Sequence, residues 1–364
     1  MNIEYKYFLF CPLNTLKMVE KAMKNRILYP ILIALLSTQA FGLDLTQEQA
    51  QTEPQMRIGA LPFPFFIYSR ADDDLGQHSY LESKKEEDRG LIYTCRGGFI
   101  DIAHLRTGSD YTAFYVSKIK EAIKNGSKEM ALKAQGPSSI IAKLPHLNLN
   151  EDEIIETAQY MAHNILTWHE FTTWYGWSAL KIKNAEKMSG FSYEDIYSHL
   201  IGIEAAGRAL KNKKLSYDQA MTFELDKMLN QENGELERVS RKLTKKITKS
   251  VKGEFYKRRS IFTYFLYKQT NIGKKSDTLS PLLVTNDSVS GCQSTQERKA
   301  HFFGENKGLV SIEIKPKIKQ AKKILKDAGS IDGKIIIERD YETLIEAVER
   351  DILNYYDRNA LLQY

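Results

Sequence analysis

The chain has 364 residues, 42% of them hydrophobic, with only 21 glycines and 9 prolines. That balance excludes collagen-like, low-complexity and disordered classes and supplies enough apolar material for a large core. A formal charge of +6 is too small to argue for nucleic acid, and no nucleic-acid partner is expected.

Residues 21–42, KAMKNRILYPILIALLSTQAFG, run from Lys21, Lys24 and Arg26 through an apolar run, Ile27 to Leu36, to small residues at Ala40 and Gly42. That is the order of a secretory signal, and the run is shorter than the roughly 18–20 residues that cross a bilayer. Residues 1–42 therefore read as a signal peptide, with Met23 the more natural start. The mature chain is expected in the periplasm or outside the cell, beginning near Leu43. It keeps 47 basic against 44 acidic side chains, so the signal supplies half of the +6. Cys11 lies upstream of the apolar run, which leaves Cys95 and Cys292. An oxidising compartment favours pairing them.

Residues 43–56 read as a loose polar segment, and 57–364 as a single main domain. Pro62 and Pro64 in ALPFPFFIYSR (60–70) favour an extended strand or a docked edge. Gly97-Gly98 marks a turn. Ser109 or Asp110 can cap a helix running to about Asn125, with Ala113, Val116, Ile119 and Ile123 on one face. A longer helix starts near Asn150 and continues to Gly176, its inward stripe reading Ile154, Ala158, Ala162, Ile165, His169, Thr172. A third follows FSYED, where Ser192 and Asp195 have capping-box spacing, and carries Ile196, Leu200, Ile203, Gly207 and Leu210 inward.

Residues 236–259 hold ten Lys or Arg against two Glu, with Val239, Leu243, Ile247 and Val251 four apart. This predicts an amphipathic basic helix, whose charged face suits peripheral contact with an anionic envelope surface. A polar loop at about 269–308 carries Cys292. The chain closes with a strand at LVSIEIK, a lysine-rich helix, a strand at GKIIIERD and a helix from Tyr341 to about Tyr356. The fold class is α+β, predominantly α-helical, with a small sheet contributed by the N-terminal and C-terminal segments.

All three tryptophans surround one histidine and one glutamate in TWHEFTTWYGW (167–177). HEFTT is not the zinc-peptidase helix H-E-x-x-H, because Thr173 stands where the second ligand is needed. The remaining candidates lie in DIAHLR: Asp101 and His104 are three apart and share a side if the segment is helical. With His169, Glu170 and Glu204 they make a set of imidazoles and carboxylates from which a zinc site is built. On this reading Asp101, His104, His169 and Glu204 are the metal ligands, Glu170 is the general base, and Arg106 stabilises developing negative charge. A structural use of the same residues, as a buried histidine satisfied inside an aromatic core, is the competing reading. His78 and His146 fall in loops, His301 in a polar stretch, and His199 near a helix surface.

The blocks CRGGFIDIAHLR, WHEFTTWYG and FSYEDIYSHLIG together resemble a family of exported bacterial proteins catalogued as domain of unknown function 4056. The resemblance implies one exported domain covering most of the chain after residue 55. Asp101, His104, Arg106, His169, Glu170, Glu194 and Asp195 fall in its motif blocks. It expects a small amide residue where this chain has His199, and it implies no reaction. Two functions follow as expectations: a metal-assisted hydrolase of an envelope or extracellular substrate, or a non-catalytic envelope protein with a basic partner-binding helix.

Overall fold

The computed structural model describes residues 52–57, 70–82, 86–132, 138–176, 190–251, 256–259, 262–265, 278–279, 281–292, 298–299, 308–327 and 332–361. The chain divides into Met1–Leu45 and Thr46–Tyr364, and every described residue belongs to the second unit. The expected signal segment, the extended segment 60–69, Trp177 and His301 lie outside the described residues.

The protein is α+β and mostly helical, as the sequence pattern predicts. Strands β1 (Leu91–Thr94) and β2 (Gly98–Asp101) form an antiparallel hairpin that runs directly into α1 (Ile102–Lys124). The helix expected from Ser109 or Asp110 thus begins two turns earlier. Asp101 is its N-cap, accepting the Ala103 N–H at 2.8 Å, a bond that satisfies one of the orphan donors of the first turn. All of DIAHLR after Asp101 is therefore helical.

β3 (Glu129–Leu132) and β4 (Ser138–Lys143) follow, then α2 (Glu151–Trp174), which starts at a capping box between Asn150 and Glu153. Next come α3 (Tyr193–Lys211) and α4 (Tyr217–Leu229). Ser192 is the N-cap of α3 but makes no side-chain cap bond, so the expected box with Asp195 does not form. The α4 helix was not read from sequence, although Ser216 and Gln219 make a capping box at its start.

The basic stretch 236–259 is not one helix. Among its described residues only α5 (Arg241–Ser250) is helical, and Tyr256–Arg259 is β5, paired with β6 (Phe262–Phe265). Arg258, Arg259 and the aromatic run after them have strand-forming neighbours that outweigh the four-residue apolar spacing. The loop expected at 269–308 contains the short pair β7 (Thr278–Leu279) and β8 (Arg298–Lys299).

Then β9 (Ser311–Pro316), α6 (Lys319–Asp327), β10 (Ile335–Ile336) and α7 (Ile337–Leu361) complete the chain. The strand expected over GKIIIERD shrinks to two residues because the final helix begins at Ile337. The main sheet is antiparallel in the order β10-β9-β4-β3. Its strands therefore come from the middle and the C-terminal part of the chain, while the N-terminal part contributes the separate β1–β2 hairpin.

Three helices, α1, α2 and α3, pack on one another around the main core. Two glycines permit the closest crossing. A Cβ on Gly108 of α1 would lie 2.4 Å from the carbonyl oxygen of His199, and one on Gly202 of α3 would lie 1.8 Å from that of Leu105. No other residue fits either place, so α1 and α3 touch backbone to backbone one turn beyond His104 and beside His199.

The hairpin is held from behind by α5, where the Tyr93 N–H donates to Thr244 Oγ1, and by the Cys95–Cys292 disulfide. Among the described residues of the segment expected to be loose, Thr52 and Gln55 are exposed and Pro54 is buried, and the main domain begins at once with a buried ion-pair network. Arg57 is buried in ion pairs with Glu87 and Asp110, and the Thr52 carbonyl accepts the Tyr80 hydroxyl at 2.6 Å.

Candidate metal centre

The site lies where the N-terminus of α1 meets α2 and α3. Asp101 organises it. Its N–H donates to Ser198 Oγ at 2.9 Å, Oδ1 caps α1, and Oδ2 lies 3.0 Å from His104 Nδ1. One residue, through its backbone N–H and its carboxylate, thus ties the hairpin, α1 and α3 together and fixes which nitrogen of the His104 ring is turned away from it. The other nitrogen, Nε2, lies 3.6 Å from Asp195 Oδ1 on α3.

Glu170 comes from α2 and is buried. Its Oε2 accepts the Phe191 N–H at 3.0 Å. Phe191 is a buried phenylalanine held at φ 58°, a left-handed conformation that costs a bulky residue about 1–3 kcal/mol and survives only where surroundings enforce it. The strained turn before α3 is what aims that N–H at Glu170.

His199 completes the cluster. Its ring centroid is 4.9 Å from that of His104. It is 1% exposed, and neither ring nitrogen has a hydrogen-bond partner among the described residues. One ligand atom each from His104, Glu170 and His199 lie within 4.8 Å of one another, as do those of Asp101, His104 and Asp195. The two groups share His104, whose side chain is 19% exposed and brings the cluster to solvent.

The electrostatics separate the two histidines. Burial disfavours charge on His104, but Asp195, Asp101 and Glu170 outweigh it and hold its pKa well above the usual value. Burial, then the charges of His104, His169 and His163, push His199 well below it. The surroundings thus favour a proton on His104 and the neutral form of His199, and a cation at His104 Nε2 would take that proton's place.

The residues singled out from sequence divide accordingly. Asp101, His104 and Glu170 are brought together. His169 belongs to neither group: Glu170, about 100° further round α2, takes the inward position, and His169 is half-buried. Glu204 stands about 140° around α3 from His199 and instead pairs with Arg208 at 2.6 Å. Arg106, two residues and about 200° past His104, points the opposite way. It reaches Glu87 Oε1 at 3.2 Å and the Leu75 carbonyl at 2.6 Å, inside the network around Arg57 and His78.

His199 corrects the expectation of a surface position, and Asp195 gains a contact that its motif alone did not specify. His163, also buried, lies beside Thr167 Oγ1 at 3.4 Å, and burial lowers its pKa to about 3. Two tryptophans serve packing: Trp168 stacks on Phe171, and Trp174 meets Tyr355 edge-on.

Among the described residues no helix is long and apolar enough to cross a membrane. No curated protein and no solved structure matches the chain. Residues 49–281 match the family model described as protein of unknown function (DUF4056), and the chain belongs to that family.

Proposed function

We propose that this chain is a metal-dependent hydrolase of the cell envelope or exterior, with a divalent cation held by His104 Nε2, His199 and Glu170. The observation that carries the reading is His199, a buried imidazole with no hydrogen-bond partner among the described residues, facing another imidazole and a carboxylate. Such a group costs about 1–3 kcal/mol of stability when left so, and ligation to a cation removes that cost. Two imidazoles and one carboxylate from three protein residues suit zinc at a catalytic site, where a further position stays open.

The ligand atoms of a tetrahedral zinc site stand about 3.4 Å apart, so small rotamer changes bring this group to coordination distance. Asp101 on His104 Nδ1 is the carboxylate that orients a ligating histidine and raises its basicity. The cation would supply Lewis acidity toward water and toward a carbonyl or phosphoryl oxygen. Asp195, whose Oδ1 lies 3.6 Å from His104 Nε2, then takes the proton of the attacking water and returns it to the leaving oxygen or nitrogen. Glu170 passes from the base expected from sequence to a ligand, because its place is beside His199.

The test is hydrolysis of chromogenic carboxylic ester, anilide and phosphoester substrates by the zinc-loaded protein. Activity on one class, lost in Asp195→Asn with metal content unchanged, is expected. A zinc-loaded protein inert toward all three classes would contradict the hydrolase reading and leave a non-catalytic metal protein.

A further inference from the structure

Two surface helices carry the same lysine pattern, K-x-x-K-K-x-x-K, at 242–249 in α5 and at 319–326 in α6. The lysines are Lys242, Lys245, Lys246 and Lys249 in the first, and Lys319, Lys322, Lys323 and Lys326 in the second, and all eight are exposed. The spacing i, i+3, i+4, i+7 sets each four in one row about 10 Å long.

The opposite faces are already used. Thr244, Ile247 and Thr248 are buried beneath α5, and Ala321 and Leu325 beneath α6. The rows therefore present charge alone. The large exposed hydrophobic residues among those described, Leu81, Leu215, Phe223 and Leu353, lie on neither helix.

Several surface cations elsewhere are answered within the chain. Lys118 pairs with Glu121, Lys120 with Glu151, Lys211 with Asp152, and Arg208 with both Glu204 and Glu235. Lys124, Lys128, Lys214 and Lys317 are exposed cations with no carboxylate pair among the described residues, but they do not share one helical row. None of the eight row lysines pairs with a carboxylate among the described residues. Like charges at i, i+4 destabilise a helix by about 0.2–0.5 kcal/mol per pair, so folding alone disfavours both rows.

We propose that the two rows are the contact surface for an anionic phospholipid bilayer. Each is an outward ridge of exposed lysines with no large exposed hydrophobic side chain among its described residues, which suits a broad layer of mobile headgroups that can gather beneath it rather than one ligand of fixed shape. The binding is peripheral and electrostatic, without insertion.

Cosedimentation of the full chain with vesicles tests this, using phosphatidylcholine alone against phosphatidylcholine mixed with phosphatidylglycerol. Partition is expected only with the anionic vesicles and falls as salt shortens the screening length. A lysine near such a surface is worth about fivefold in partition. Replacing either row by Gln (Lys242→Gln, Lys245→Gln, Lys246→Gln, Lys249→Gln, or the matching four of α6) is expected to cost at least tenfold, allowing for screening.

Circular dichroism checks folding of each variant, and the double variant Lys245→Gln, Lys249→Gln, with a loss of a few fold, serves if a quadruple one fails to fold. Equal partition into both vesicle types, or wild-type partition in both row variants, would overturn the proposal. Capture of soluble polyphosphate without vesicle binding would overturn it as well.

Discussion

Replacing His199 by leucine should make the metal-free protein more stable and the metal-loaded protein less so. In the metal-free fold the imidazole is 1% exposed, and neither nitrogen has a hydrogen-bond partner among the described residues. Leucine of similar volume removes a desolvation cost of about 1–3 kcal/mol, against which imperfect packing of the new shape takes back less than about 1.5 kcal/mol. A net gain of about 1 kcal/mol corresponds to roughly 2 °C in a chain of this size.

Metal acts the other way. A cation at a hundred times its Kd stabilises the wild type by about 2.7 kcal/mol, and the variant, lacking one of three ligands, should gain little. Thermal melts with chelator and with excess zinc would therefore cross: variant above wild type without metal, wild type above variant with it. A variant less stable than wild type under chelator would refute the reasoning. It would mean that His199 is a satisfied core residue.

Asp101→Asn keeps the oxygen that caps α1 but loses the charge on His104 Nδ1. Zinc affinity measured by competition with a chelating dye should fall about 10–100-fold, with stability changed by less than about 1 kcal/mol; unchanged affinity would remove Asp101 from the site. Arg57→Ala leaves Glu87 and Asp110 buried beside it without their guanidinium, and should cost about 3–5 kcal/mol in urea unfolding. A cost below 1 kcal/mol would show that the network relaxes.

His163 is held near pKa 3 by burial, against 6.5 when free. Its neutral form is favoured by the fold, so this stability is intact above pH 6.5. It is lost as pH falls from 6.5 toward 3, at up to about 1.4 kcal/mol per pH unit. His104, raised by its carboxylates, contributes in the opposite sense, with stability present below pH 6.5 and lost as pH rises through its folded pKa. Unfolding of His163→Gln across that acid range should show a shallower slope than wild type, and an identical slope would contradict the assignment.

Helix periodicity made α2 and the core of α3 legible in the sequence, because their apolar stripes are long and, for α2, the capping residues Asn150 and Glu153 stand at the right offset. The start of α1 was hidden. Gly97-Gly98 reads as punctuation, and nothing local announces that Asp101 ends a strand and caps a helix in the same residue. Position 199 was readable and missed: Ile196, His199, Leu200 and Ile203 share one face at i, i+3, i+4, i+7, and Asp195 lies one turn before His199 on that face. The pairing of those two with Asp101, His104 and Glu170 depends on the crossing at Gly108 and Gly202. That contact joins segments about 100 residues apart and has no local signal. Arg106 was drawn in by proximity in sequence to His104, and Glu204 as a further carboxylate for the set, whereas helical rotation turns both toward other partners.

Titration of the metal-free protein with zinc by calorimetry, alongside His199→Leu, tests the central claim most directly. One ion per wild-type chain, with binding abolished or greatly weakened in the variant, is the predicted result. No binding by the wild type, or undiminished binding by the variant, would contradict a metal centre at His104, Glu170 and His199.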